Sequence, residues 1–194
     1  MAKITTPEFR LSYPQVFEPK AFQGGKPRYS LVMLFSKKTD ISNLKKLALD
    51  AIEEKWPNKN TRPKRLRSPF RDGDTEKPDT DGYTGCIFVS ASKLEERGKV
   101  PVVDKALSPI TDPSELYAGC YCKASVNAYA YEFAGNTGVA FGLRSVQKIK
   151  EGEPFGVGKV DPTEDFEVIE TDVSAMGFTE ENAPTVKESF EVIF

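Results

Sequence analysis

The sequence predicts a mainly β protein, a small barrel of five strands with one amphipathic helix and long loops. Three observations lead to this fold class. Five runs have strand-like apolar patterns, one segment has helical periodicity, and strands do not alternate with helices as they would in a parallel α/β sheet. The strand-like runs are 7–17, 28–36, 86–92, 119–133 and 139–149.

The first two runs would begin the barrel. Residues 7–17 alternate around Phe9, Leu11 and Tyr13, so we expect these three side chains to share one face of a strand. The second run is apolar at five successive positions, 31–35. Such continuity is typical of a central strand that is covered on both faces.

Residues 40–56 form the predicted helix, between the second and third strands. Apolar residues recur there at steps of three or four, Asp40 suits the N-cap, and Pro57 ends the pattern. An amphipathic helix of about four turns would cover an open end or face of the sheet. The segments 58–85 and 98–116 lack periodicity and contain several prolines, which predicts long loops.

The run 119–133 has two chemically different sides. Its even positions are small and apolar from Cys120 to Ala130, which suits the interior of a small barrel. Its odd positions combine aromatic rings, a lysine and short polar groups. Aromatic rings stack on unpaired bases and cations neutralise phosphates, so this face predicts contact with single-stranded nucleic acid. The candidate residues are Tyr121, Lys123, Tyr129, Tyr131 and Phe133. The alternative is that the aromatic residues pack under a loop or under the C-terminal segment.

A second candidate element is a basic segment, residues 59–71, which contains no acidic residue. Its cations and one aromatic residue are Lys59, Arg62, Lys64, Arg65, Arg67, Phe70 and Arg71. Arginine presents a planar fork to phosphate and can also stack on bases. We interpret the segment as a clamp on nucleic acid, with a solvated surface as the alternative. Arg144 or Lys148 would supply further positive charge.

The charge is divided between two parts of the chain. Residues 161–194 contain ten acidic residues and one basic residue, a net charge of −9, whereas residues 1–160 carry +7. The division predicts a nucleic-acid-binding domain over 1–160 followed by an acidic C-terminal tail. Phe190 and Phe194 within this tail suggest a docking peptide for partner proteins, with a strand as the alternative.

Several functional classes are disfavoured by the composition. The chain has no histidine, which removes a Ser-His-Asp triad and a Cys-His pair, and three cysteines cannot complete a four-thiolate zinc site. We therefore expect no enzyme activity, cofactor or metal. The N-terminus has no secretory signal and no apolar run reaches membrane-spanning length, so we expect a cytoplasmic protein without membrane contact. Asp72 and Asp74 leave a metal-dependent nuclease as a minor alternative.

Several stretches of the sequence resemble the OB-fold family of bacteriophage single-stranded DNA-binding proteins. The resemblance runs through Ser12-Tyr13-Pro14, 29–35, 86–93 and 117–156, including Gly142-Leu143-Arg144-Ser145-Val146-Gln147. It implies an OB-type barrel that binds single-stranded DNA (ssDNA) without sequence preference in phage replication, recombination or repair. It also implies that the acidic tail docks replication or recombination proteins. A phage structural or assembly protein with a β-barrel is the rival interpretation, and homodimer formation stays open.

Overall fold

Five strands close into a barrel in the computed structural model, which describes residues 2–21, 24–133 and 135–156. The strands are β1 (Lys3–Thr5), β2 (Phe9–Lys20), β3 (Arg28–Ser36), β4 (Arg71–Asp72), β5 (Cys86–Leu94), β6 (Val102–Val103), β7 (Tyr121–Phe133) and β8 (Asn136–Lys150), and the helices are α1 (Ser42–Lys55) and α2 (Gly73–Glu76). The ring runs β2-β3-β5-β8-β7 and returns to β2, with β5–β8 as its one parallel pair. These are the five predicted strands, so the predicted fold class is confirmed.

The barrel interior is filled by apolar side chains from all five strands. Leu11, Leu31, Val89, Val126 and Phe141 are each at most 1% exposed. The apolar face of α1 packs on the same core through Leu44, Leu47, Ala48 and Ala51. The short strands β1, β4 and β6 extend the sheet beside β7, β5 and β8. The barrel is therefore a packed core, and ligands must bind on its outside.

The alternation predicted for the first strand fails at Tyr13. Phe9 and Leu11 are buried as expected, but Tyr13 is 52% exposed. The next side chain of β2 that is buried in the hydrophobic core is Val16. Ser12 pairs with Val32 and Gln15 with Ser30, so β2 uses one more residue than β3 over this stretch. An extra residue is a β-bulge, and a shift by one residue turns the following side chains to the other face.

The predicted helix is confirmed with slightly shorter bounds. It begins at Ser42 after Ile41 as N-cap, which corrects the assignment of Asp40 to that position. Asp40 still accepts a hydrogen bond at the start of the helix, from the Ser42 N–H at 2.9 Å. This bond lowers the pKa of the Asp40 carboxyl. The helix ends before Trp56, its C-cap, and Pro57 follows.

Two predicted connections are more ordered than expected. The segment 58–85 contains β4, α2 and a 3₁₀ turn at Lys59–Thr61, because local hydrogen bonds replace the missing periodicity. The hairpin between β7 and β8 is tighter than the predicted loop 134–138, since Phe133 pairs with Asn136. Gly135 in this turn has φ 76°, a left-handed conformation that glycine adopts without a Cβ clash.

The predicted acidic tail lies outside the described residues. This includes the proposed boundary at residue 160 and the candidate docking residues Phe190 and Phe194. Within the described ranges, no helix has the length and apolar character needed to cross a membrane.

Candidate nucleic-acid interface

Strand β7 has the two sides that the sequence predicts. Inside the barrel, Cys120 (just before the strand), Cys122, Ala124, Val126 and Ala128 are at most 6% exposed. The alternate residues from Tyr121 to Tyr131 are half-buried, and Phe133 at the tip is 79% exposed. The small inward side chains let β7 lie close to α1 and the opposite wall, while the outward face stays available.

The outer face of the barrel has a floor of small side chains where four strands lie side by side. Ser30 of β3 pairs with Ser92 of β5, which is in register with Gly142 of β8, and Gly142 pairs with Asn127 of β7. A Cβ at Gly142 would lie 2.6 Å from Asn127 Oδ1, so a larger residue here would have to displace the Asn127 side chain. Three interstrand spacings give a floor about 14 Å wide.

Two adjoining depressions, of about 530 and 580 Å³, lie over this floor and share Arg28, Ser92 and Tyr129. We call them together the groove. Besides the core residue Phe141, its aromatic and cationic lining residues are Tyr13, Lys26, Arg28, Lys93, Arg97, Tyr129 and Arg144. No acidic side chain among the described residues lines either depression. The groove therefore combines flat rings, a shallow floor and positive charge.

The cations of the groove differ in whether they already make hydrogen bonds or ion pairs within the protein. Lys26 Nζ lies 2.9 Å from Glu96, and Lys93 Nζ donates to the Lys99 carbonyl at 2.8 Å. Within the part of the chain that the structure describes, Arg28, Arg97 and Arg144 are in no ion pair. Their guanidinium groups keep their donors for a ligand, and they suit phosphate oxygens.

The basic segment 59–71 packs beside the β7–β8 hairpin. The Arg67 N–H donates to the Thr137 carbonyl at 2.9 Å, and the Val139 N–H donates to the Arg67 carbonyl at 3.2 Å. Thr137 Oγ1 also donates to the Arg65 carbonyl at 2.8 Å. The backbone of the segment thus lies against the start of β8, and Tyr131 reaches the same place, since its hydroxyl lies close to Gly138. The exposed cations of the segment are Lys59, Lys64, Arg65, Arg67 and Arg71.

Three predicted residues of this segment make contacts within the protein. Arg62 donates to the Trp56 carbonyl at 2.9 Å and lies 3.8 Å from Glu53. Arg71 pairs with Glu76 and stacks on the Phe88 ring. The Phe70 ring meets Phe141 edge-on, with centroids 5.8 Å apart, and packs on the core.

Lys148 is likewise engaged within the protein. Its Nζ is only 2.6 Å from both the Glu115 carbonyl and a Glu151 carboxylate oxygen, and it sits over the Tyr117 ring. Hydrogen bonds from Lys148 and Tyr117 hold the pKa of Glu151 below its usual range.

Tyr121 is covered by Lys150, whose Nζ is 4.3 Å from the ring centroid, and by Arg10 at 5.7 Å. Lys123 is half-buried further along the strand, opposite Gln147. Tyr121 and Lys148 thus belong to a surface that is already paired with protein groups.

The aspartates that suggested a nuclease are bridged by a lysine. Lys37 Nζ lies 2.8 Å from Asp72 and 2.7 Å from Asp74. Hydrogen bonding to this ammonium group lowers the pKa of both carboxyls. Among the described residues, no group of three or more acidic or cysteine side chains is placed to hold a metal ion.

Four groove cations and one ring were missed by sequence reasoning. They are Tyr13, Lys26, Arg28, Lys93 and Arg97. Arg28 lies at the start of β3 and Lys93 near the end of β5, and these two strands pair there, Arg28 with Leu94 and Tyr29 with Lys93. The register of β3 and β5 would have brought them together, but apolar periodicity alone does not give that register.

Comparison with known proteins identifies the family. The family model described as the ssDNA-binding protein of Enterobacter phage Enc34 matches residues 2–176. The chain belongs to this family. A protein called p50, of Acyrthosiphon pisum secondary endosymbiont phage 1, is 35% identical over 178 residues, spanning 85% of this chain and 92% of p50. The family is one of ssDNA-binding proteins and is not an enzyme family.

Solved structures of phage ssDNA-binding proteins have the same fold. The Enc34 protein in complex with ssDNA superposes with a TM-score of 0.66 at 28% identity, over 79% of this chain and 89% of that one. Another structure of the Enc34 ssDNA-binding protein gives 0.65 at 25% identity, over 85% and 90% of the two chains. The gp2.5 protein of bacteriophage T7, at 17% identity and a TM-score of 0.59 over 86% and 95%, shares the fold. The OB-type expectation is thereby confirmed.

Proposed function

We propose that this protein binds ssDNA without sequence preference in the groove over β3, β5, β8 and β7. The observation that carries the proposal is a set of three arginines, Arg28, Arg97 and Arg144, which are in no ion pair among the described residues and surround the Tyr129 ring on a floor of small side chains. Membership of a family of ssDNA-binding proteins supports the same function. The protein acts by binding alone, without a cofactor.

In this proposal, an aromatic ring binds a base by stacking and the arginines bind the phosphates by charge. A base lies on the half-buried Tyr129 ring, and stacking on an aromatic ring is worth about 1–3 kcal/mol whatever the base. The backbone phosphates meet Arg28, Arg97 and Arg144. The small side chains at Ser30, Ser92 and Gly142 let the DNA approach the sheet closely. The bases of a double helix are stacked on one another, so their faces are not available to an aromatic ring.

We further propose that the basic segment extends this path along the hairpin. The exposed cations Arg65 and Arg67 belong to the segment that packs on the start of β8, where Tyr131 also reaches, Lys64 precedes them in the chain, and Phe133 lies exposed at the hairpin tip. The proposed DNA path then includes some of the DNA-contact residues that the sequence predicts. Tyr121, Lys148, Arg62, Phe70 and Arg71 are left out because their protein contacts occupy them.

The acidic tail is assigned a regulatory and docking role on the basis of its charge. At −9 against a domain of +7, residues 161–194 would compete with DNA for the cations, and Phe190 and Phe194 would dock replication or recombination proteins in the host cytoplasm. Deletion of 161–194 should tighten binding to oligo(dT) at low salt and have little effect at high salt. Equal affinities of the full chain and the deletion variant at low salt would refute the competition.

A fluorescence titration with labelled oligo(dT) at several salt concentrations tests the proposed function. We expect saturable binding whose logarithm falls linearly with the logarithm of salt, by about 0.7 for each phosphate contact. Competition with unlabelled oligo(U) would measure the preference for DNA over RNA. A structural or assembly protein would show no salt-dependent binding, and that result would refute the function.

A further inference from the structure

We propose that Tyr13 is a base-stacking residue of the groove, turned outward by the bulge in β2 at the expense of backbone strain. The proposal rests on the proposed function and adds a residue that the outward face of β7 does not supply. Tyr13 lines the same depression as Tyr129, on the opposite side of the floor formed by β3, β5 and β8.

The backbone of Tyr13 is in a conformation that tyrosine rarely adopts. Its φ is 46°, in the left-handed region that a Cβ disfavours, and Pro14 follows it directly. A proline restricts the preceding residue further toward extended conformations. Glycine would occupy this position without strain, so the presence of a large ring here requires another reason.

The surroundings hold this strained conformation in place. Ser12 is buried and its Oγ lies 3.2 Å from the Tyr83 hydroxyl, which fixes the residue before the bulge. Pro14 fixes the chain after it, and pairing of β2 with β3 resumes at Gln15. Strained residues that are fixed in this way occur preferentially at ligand sites.

The ring of Tyr13 contributes little to the core. It is 52% exposed, and the bulge turns it away from the buried side that Phe9, Leu11 and Val16 occupy. A flat ring that stands half open at the edge of a cationic groove offers a surface for an unpaired base. Its rigidity lowers the entropy that binding must overcome.

Leu107 provides a matched control. It is the other non-glycine residue with positive φ among the described residues, at 66°, and it is 69% exposed. It lies in a turn, where its N–H donates to the Asp104 carbonyl at 3.1 Å, and it does not line the groove. Leu107 therefore shares the backbone strain and the exposure of Tyr13 without the proposed contact.

The experiment uses full-length protein and two labelled probes of equal length, oligo(dT) and an abasic oligonucleotide that keeps the phosphates. We expect Tyr13→Ala to weaken binding of oligo(dT) about 5- to 10-fold while binding of the abasic probe changes by less than about twofold. Tyr13→Phe should bind like wild type, since it keeps the ring, and Leu107→Ala should bind both probes normally.

Thermal unfolding tests the strain separately. Tyr13→Gly should melt about 2–4 °C above Tyr13→Ala, because glycine relieves the left-handed backbone, yet bind oligo(dT) as weakly. The inference is overturned if wild type binds oligo(dT) and Tyr13→Ala binds it equally well, or if Tyr13→Ala loses both probes to the same extent. If wild type binds neither probe, the proposed function fails and the role of Tyr13 fails with it.

Discussion

The two ends of the outward face of β7 carry similar side chains. They differ in whether the cations beside them already make hydrogen bonds or ion pairs within the protein. Near Tyr121, Arg10 donates to the Glu153 carbonyl at 2.7 Å and stacks on Phe155, and Lys150 lies 2.9 Å from Glu8. Near Tyr129, Arg144 is in no ion pair within the described ranges. The first end holds the chain after β8 against the barrel, and the second is open to a ligand.

This difference shows that a ring beside a cation is not enough to define a binding surface. A guanidinium or ammonium group whose donors meet protein oxygens must lose those bonds before it can meet a phosphate. A group whose donors meet only water gains from the exchange, since counterions are released when it binds DNA. Among the described residues, free donors therefore distinguish the proposed binding end of β7 from the structural end.

The largest effect is expected from removing two arginines that are in no ion pair among the described residues. Arg28→Ala combined with Arg144→Ala should weaken oligo(dT) binding about 20-fold near 0.1 M salt, because each phosphate contact contributes about 0.7 to the salt slope. The slope itself should become shallower by about 1.4. Titrations at four or more salt concentrations measure both quantities.

The matched control removes two cations from the structural end. Arg10→Ala combined with Lys150→Ala should leave the salt slope unchanged and lower the melting temperature, since Arg10 fixes the backbone of residues 119 and 153. If this double variant flattens the slope as much as the groove variant does, the distinction between the two ends is wrong.

The next effect concerns the two tyrosines at the ends of the face. Tyr129→Ala should weaken oligo(dT) binding about tenfold, because one stacked base is lost. Tyr121→Ala should change the affinity by less than about twofold, since Lys150 and Arg10 already cover that ring. Fluorescence anisotropy with the same oligo(dT) probe compares the two variants, and a larger loss for Tyr121→Ala would reverse the assignment.

A smaller effect is expected along the hairpin. Arg65→Ala combined with Arg67→Ala should weaken binding of a long oligo(dT) about fivefold and leave a short one nearly unaffected, because these cations lie beyond the groove. Their backbone contacts with Thr137 and Val139 are kept in both substitutions, so the segment should stay docked. Equal losses for long and short probes would place these arginines inside the main site.

The smallest effect is expected at Lys26, a groove cation that already forms an ion pair within the protein. Glu96→Gln should strengthen binding about twofold at low salt, because it releases Lys26 from an exposed ion pair and exposed pairs are weak. The gain should disappear at high salt, where surface charges are screened. Weaker binding by Glu96→Gln would mean that the pair positions Lys26 for the DNA.

The barrel and the two sides of β7 could be predicted because alternation is a local property of the chain. The even positions from Cys120 to Ala128 are small and apolar, and they are buried in the core. The same rule failed at Tyr13, because a bulge shifts the alternation by one residue and leaves no apolar signature in the sequence.

The groove itself could be predicted only in part. Tyr129 was predicted from the alternation of its own strand and Arg144 was named with Lys148 as a further cation, whereas Arg28 and Arg97 lie beside them through the pairing of β3, β5 and β8. Lys148 has the same charge as a groove cation but meets Glu151 and the Glu115 carbonyl. Whether a cation is free depends on such distant partners, which composition does not reveal.

Photo-cross-linking of wild-type protein to an iodouracil-substituted oligo(dT), followed by mass spectrometry of the peptides, tests the location of the site most directly. The account predicts that the cross-linked peptides contain Tyr129 and map to the groove of β3, β5, β8 and β7. Cross-links confined to Tyr121, Tyr117 or Phe155 would place the DNA on the structural end and contradict it.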